Sequence, residues 1–385
     1  MRNYLANSSF LQLNFHADKK IFFALLLFVV GSFSFGIADA QQPYYTIKGK
    51  IVDKNTKAPL QGASVFAQNT TFGVASDSSG NFTLRLPDGG YSIIVTYSGY
   101  ETESVRASNT SSENDNLVIE IGAKEKSLEE VSIAISSEVK DGWEKYGVFF
   151  TQNFLGQTKF ARQAIIQNPD ALHFYFSKKR NRLKVLATEP LTVQNFALGY
   201  TLKFAIDSFT YEYGTNANLF VGYPLFTEMA GTPDQKATWA ENRAMAYKGS
   251  IVQFMRSLYH QTLTDDGYEL QFIEKKNDKE ASVPLTDLYA ELNYEKDSST
   301  STIEFHPQQT NISVIYNKAK PEQEYLDYNQ LAGKNLQVSR LIFAPDEVIS
   351  IEQNGYYFDQ TDITTNGYMG FKKIADMLPY DYEPQ

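Results

Sequence analysis

Cysteine is absent from this 385-residue chain. That excludes disulfides, thiolate metal sites, thiol nucleophiles and a lipid-modified cysteine, and leaves packed cores as the source of stability. Catalytic signatures are absent too: no Gly-x-Ser-x-Gly elbow, phosphate loop, dinucleotide fingerprint or His-Glu-x-x-His occurs. Ser137-Glu-Val-Lys140 has the Ser-x-x-Lys spacing of penicillin-binding enzymes, but the companion Ser-Asp-Asn and Lys-Thr-Gly motifs are missing. After residue 40 no stretch is apolar enough to span a bilayer as a helix.

Positive charge is also in short supply. The formal net charge is -10, and an anionic body repels a phosphate backbone, which makes nucleic acid a poor partner. The dense basic run Lys178, Lys179, Arg180, Arg182 and Lys184 sits between two strand-like runs and reads as a charged hairpin tip. What the chain does have is aromatic mass, with 25 Tyr and 27 Phe, the composition of strand-rich globular domains.

Lys19 and Lys20 precede an apolar run from Ile21 to Phe35, and small residues at Ala38 and Ala40 precede Gln41. This is the pattern of an export signal over residues 1–40 with mature start at Gln41. An uncleaved N-terminal anchor is the alternative.

From Tyr45 to about Gly122, short alternating runs are separated by the turn sequences Asp77-Ser-Ser-Gly80 and Pro87-Asp-Gly-Gly90. The runs include Tyr45, Ile47, Gly49 and Ile51, then Ala63, Val65 and Ala67, then Phe82, Leu84 and Leu86. Ile93, Val95 and Tyr97 follow, and last Leu117, Ile119 and Ile121. The pattern predicts a small two-sheet sandwich over 45–122. Asp77 to Gly80 lacks the alternating oxygen ligands of a calcium loop and reads as a turn.

The blocks Ile47-Lys-Gly-Lys-Ile-Val-Asp53, Pro59-Leu-Gln-Gly-Ala-Ser-Val65, Ala75-Ser-Asp-Ser-Ser-Gly-Asn-Phe82 and Tyr97-Ser-Gly-Tyr-Glu101 resemble the carboxypeptidase-regulatory-like domain. The resemblance implies a transthyretin-like sandwich of the carbohydrate-binding-like superfamily, a type found in front of TonB-dependent outer-membrane receptors. It implies no peptidase activity. In metallocarboxypeptidases the zinc ligands lie in a separate domain and begin His-x-x-Glu, whereas His173, His260 and His306 are followed three positions on by Phe176, Leu263 and Gln309.

Residues 123–140 read as a linker or a last strand. Beyond them, 141–385 reads as a larger α+β domain with a predominantly antiparallel sheet. Helices are expected around Trp143 to Leu155 and over Thr158 to Gln167. Strands are expected at His173 to Ser177, Leu183 to Ala187, Leu191 to Phe196, Tyr200 to Ala205 and Ser208 to Tyr213. Ala240, Ala244, Tyr247, Ile251, Phe254 and Leu258 recur at spacings of four and three, which predicts one long amphipathic helix against the sheet. Further strands are expected at Tyr268 to Glu274, Leu288 to Tyr294, Ser301 to Phe305, Ile312 to Tyr316, Leu336 to Phe343 and Val348 to Glu352, with a short helix ending Gly367 to Pro379. Asp265 and Asp266 lie in a turn sequence rather than forming a carboxylate pair.

Asn153-Phe-Leu-Gly156, Asn195-Phe-Ala-Leu-Gly-Tyr200, Glu241-Asn-Arg243, Tyr247-Lys-Gly-Ser250, Gly367-Tyr-Met-Gly370 and Met377-Leu-Pro-Tyr-Asp381 resemble exported two-domain proteins grouped as carboxypeptidase-like regulatory domain-containing. The second domain of that group has no settled role. The polar set Glu241, Arg243, Tyr247 and Ser250 is the candidate ligand or interface site, with an interface arginine and its carboxylate partner as the plainer reading. No catalytic residue, cofactor or metal is expected. The reading that follows is a non-enzymatic envelope protein, periplasmic or outer-membrane-associated, whose sandwich docks or spaces an envelope or outer-membrane protein partner. The alternatives are a glycan-binding protein of a nutrient-uptake system, with Tyr91, Tyr97 or Tyr100 stacking on sugar, and in third place a hydrolase.

Overall fold

Alternation of apolar and polar residues gives seven N-terminal strands: β1 (Tyr44–Asp53), β2 (Ser64–Ala67), β3 (Gly73–Ala75), β4 (Asn81–Pro87), β5 (Gly90–Thr96), β6 (Glu103–Ser108) and β7 (Leu117–Ile121). The computed structural model describes residues 43–112, 114–124, 138–276, 279–345 and 347–384. The export segment, most of the 123–140 stretch and Ser137 lie outside the described residues. The seven strands pair as two sheets, β4-β1-β7 and β3-β2-β5-β6. Ile47, Ile51, Val65, Leu84, Leu86 and Ile93 close a dry core between them, as the period-2 pattern demands. At the turn expected from Asp77-Ser-Ser-Gly80, the Asp77 carboxylate accepts the Ser79 and Asn81 amides, both at 2.8 Å, and Gly80 takes φ 77°.

Helix α1 (Gly142–Phe154) packs Phe150 and Phe154 onto a six-stranded antiparallel sheet. That sheet contains β8 (Ala164–Ile166), β9 (Leu172–Ser177), β10 (Arg182–Ala187), β11 (Leu191–Asn195), β12 (Tyr200–Glu212) and β13 (Ala217–Glu228). The two strands expected at 200–205 and 208–213 are one, bulged between Ile206 and Ser208. The basic run is the tip of the β9–β10 hairpin, with Asn181 at φ 47°. Thr158 to Gln167 is not a helix. A single 3₁₀ turn at Ala161–Gln163, started by the Thr158 hydroxyl accepting the Ala161 amide, gives way to β8, which pairs with β11.

The expected long helix is two, α2 (Pro233–Tyr247) and α3 (Ile251–Tyr259). Gly249 takes φ 73°, and a Cβ there would overlap the Gln337 side chain. The Ser250 hydroxyl then caps α3 through the Gln253 amide at 3.1 Å, so the apolar spacing carries on across a turn that breaks the backbone.

The remaining chain forms a second core. Its five-stranded sheet runs β15 (Lys279–Pro284), β14 (Tyr268–Lys276), β18 (Asn311–Tyr316), β19 (Gln337–Phe343) and β21 (Ile363–Asn366). A small sheet joins β16 (Glu295–Asp297), β17 (Thr302–Phe305) and β20 (Ile349–Ile351). The stretch expected as a strand at Leu288 to Tyr294 is instead helix α4 (Leu288–Glu291). The Glu291 carboxylate accepts the Thr286 and Asp287 amides, at 2.8 and 2.9 Å, and so closes a helical turn where apolar spacing alone suggested extension. Helix α5 spans Gln323–Tyr328. Helix α6 (Gly367–Phe371) opens the C-terminal segment that was expected to end in a helix, and a 3₁₀ turn at Ile374–Asp376 follows it. By backbone contacts, Tyr44–Gln385 forms one compact unit.

Candidate functional site

Thr232 caps α2 through a reciprocal bond pair with Gln235, and Pro233 occupies the first helical turn, where its missing amide costs nothing. This fixed start aims Trp239 inward. Its indole nitrogen donates to the Phe196 carbonyl at 2.9 Å. A Cβ on Gly199, which has φ 69°, would overlap the indole, and one on Gly231 would come within 2.5 Å of it. One turn on, Arg243 lays its guanidinium 3.8 Å from the Tyr200 ring centroid. It donates to the carbonyls of Leu198 at 2.8 Å and Gly199 at 3.3 Å, and to Glu228 at 2.6 Å.

The candidate residues therefore part company. Arg243 takes its carboxylate from Glu228 on β13, while Glu241 is exposed. Tyr247 packs on Tyr382, with ring centroids 5.8 Å apart, and lies 5.5 Å from the Arg256 guanidinium. Ser250 belongs to the next helix as its cap. An open cleft of about 390 Å³ beside Arg243 is lined by Glu228, Met229, Lys236, Trp239 and two α2 alanines.

A second polar arrangement runs along the seam between the sandwich and the rest of the unit. Thr70 forms a parallel bridge with Leu225 of β13; the Asn69 amide donates to Pro224 and the Phe226 amide to Thr70. Arg106 on β6 bonds Glu352, whose second oxygen accepts the Gly90 amide at 3.2 Å. Burial raises the Glu352 carboxyl above the usual range, with Arg106 opposing. Tyr356 shares a bond with Ser92 at 2.8 Å.

A C-terminal strap completes the seam. The Ala375 amide donates to Leu155, and the Ala375 carbonyl accepts from Asn195. The Tyr380 amide donates to Asn69, and Asp381 accepts from the Thr71 amide and hydroxyl. Arg256 donates to the carbonyls of Asn354, Tyr380 and Tyr382, each at 2.9 Å. Asp376 is buried and pushed up to about 6 by that burial, against the pull of Lys372 3.6 Å away. Burial likewise raises Asp381.

The sequence alone singled out none of Arg106, Glu352, Arg256 or Asp381 as a site residue. Their partners are distant in sequence, so no local spacing announces them. Of the tyrosines considered for sugar stacking, Tyr91 is buried, while Tyr97 and Tyr100 meet edge to face at 5.2 Å and Tyr100 donates to Asp53. Among the described residues no three His, Asp or Glu side chains stand close enough to hold a metal. No described helix is long and apolar enough to cross a membrane, which says nothing of strands.

Over 85 residues the chain is 38% identical to the TonB-dependent receptor SusC of Bacteroides thetaiotaomicron. The match covers 22% of this chain and only 8% of the receptor. Among solved structures, a 3-chlorocatechol 1,2-dioxygenase from Rhodococcus opacus aligns at a TM-score of 0.18, 14% identical over 23% of this chain and 62% of its own. A DUF3823 family protein from Bacteroides ovatus aligns at 0.17, 11% identical over 49% of this chain and 83% of its own. At such scores neither likeness bears on fold or function. Residues 47–133 match the model of the CarboxypepD_reg-like domain, and the N-terminal sandwich is a domain of that type.

Proposed function

We propose that this chain is a non-enzymatic protein of the cell envelope, periplasmic or at the outer membrane, whose sandwich docks onto an outer-membrane protein partner. The observation that carries the reading is the sandwich itself, which matches the CarboxypepD_reg-like model; the chain also shares 38% identity over 85 residues with a TonB-dependent receptor. The seam supports it and refines it. Sheet β3-β2-β5-β6 and the turn after β2 supply Ser92, Arg106 and Gln68 to the seam. The outer face of β4-β1-β7 presents exposed Lys48, Lys50 and Arg85 to solvent. A sandwich held on one side is a fixed platform, not a loose spacer. Capture of envelope proteins on the intact chain and on a variant of this face tests the reading.

A further inference from the structure

A strand edge exposes unpaired amides and carbonyls, and soluble proteins blunt such edges with charge, proline or brevity. Two edge strands of the second core comply. β15 begins Lys279-Glu280 and ends at Pro284, and β16 is Glu295-Lys296-Asp297.

Strand β13 differs. Its outer edge is covered at the C-terminal end only, where Asn69 and Thr70 bond Pro224 and Phe226. Backbone groups point alternately to the two edges of a strand. The outward set holding the Pro224 carbonyl and the Phe226 amide therefore continues through Gly222, Phe220 and Asn218. No described segment pairs with those three on that side. The stretch Ala217-Asn-Leu-Phe-Val-Gly-Tyr223 carries no charge, and Leu219 is 62% exposed.

We propose that this edge is the interface of a two-fold homodimer, with β13 pairing antiparallel to β13 of a second copy so that two six-stranded sheets become one. A second copy is the occupant for two reasons. Antiparallel self-pairing sets the stretch against itself, where like charges would repel, and this stretch has none to repel. The same edge already takes backbone bonds from Asn69 and Thr70, so the new contact continues an interface the fold has built. Closure by a two-fold axis also buries both edges and leaves no point for further growth. The proposal does not depend on the envelope reading.

Sedimentation equilibrium of the full chain across the micromolar range tests it, with hydrogen exchange of the Phe220 and Gly222 amides as a second readout. The dimer should weaken by about tenfold or more in Leu219→Lys, which puts a positive charge into the self-paired stretch of both copies. At concentrations low enough for both chains to be monomeric the thermal midpoint should hold, since Leu219 is exposed in the single chain. Val118→Lys, at a 63% exposed position of β7, should leave the dimer intact. Exchange at Phe220 and Gly222 should slow as concentration rises. A monomer throughout the range, a dimer indifferent to Leu219→Lys, or exchange independent of concentration would each overturn the proposal.

Discussion

Thr70 of the sandwich and Leu225 of β13 form a parallel β-bridge, although they lie far apart in the chain. The bond from the Phe226 amide to the Thr70 carbonyl, at 2.9 Å, ties the sandwich to the six-stranded sheet through the backbone itself. Around this bridge the seam is polar. Interfaces of that kind between parts of one chain usually permit relative motion. Here the C-terminal strap bonds both sides, through Asp381 to Thr71 and through Ala375 to Leu155.

Removing one partner of a buried ion pair strands the other charge. Arg106 is partly exposed and Glu352 is not, at 35% and 5%. Arg106→Ala is therefore expected to destabilise the unit by about 2 kcal/mol, the buried-pair cost discounted for solvent on the arginine side. Glu352→Gln should cost less, because the amide keeps an acceptor without the charge. Urea unfolding measures both, and the reverse order would refute this account of the seam.

Trp239 needs two glycines around its indole. Gly199→Ala forces a Cβ into the ring at a positive φ and should cost about 2 kcal/mol or more, by overpacking and backbone strain together. Gly62→Ala serves as the control, since Gly62 also has positive φ but open space around it. It should cost less, by differential scanning calorimetry.

Three buried carboxyls, Asp376, Asp381 and Glu352, are held above their ordinary values by burial. The folded chain therefore binds protons before the unfolded chain does, and stability rises as pH falls from neutrality through about 6. For Asp376, the gap between 3.8 and about 6 corresponds to about 3 kcal/mol at full effect. Asp53, held down to about 2 chiefly by the Thr56 amide, acts oppositely in strong acid, where its stabilising bonds are lost. A melting temperature that climbs between pH 7.5 and 5.5, with a shallower climb in Asp376→Asn, is expected. A fall over that window would be contrary evidence.

The strands of the sandwich were legible because each buries one face, and Ile47, Ile51, Leu84 and Leu86 sit where alternation put them. β13 escaped notice because Gly222 and Pro224 interrupt its pattern. Pro224 is tolerated there because its missing amide falls on the outer edge, where the ladder to β12 asks for none. The helix break at Gly249 was hidden by an apolar spacing that continues across it. The carboxylate that Arg243 bonds, Glu228, comes from a strand that could not be placed beforehand. The seam was invisible for the same reason: pairs such as Arg106 and Glu352 are made by tertiary structure, and no period in the sequence encodes them.

The central claim is that the sandwich docks an envelope partner through its free sheet. Chemical cross-linking in intact envelopes, followed by mass spectrometry, compares the native chain with the triple variant Lys48→Glu, Lys50→Glu and Arg85→Glu. These side chains are exposed, so folding should be unaffected. The account predicts cross-links from the native chain to an outer-membrane protein at this sheet, and their loss in the variant. Cross-links that persist unchanged in the variant, or a native chain that finds no envelope partner, would contradict it.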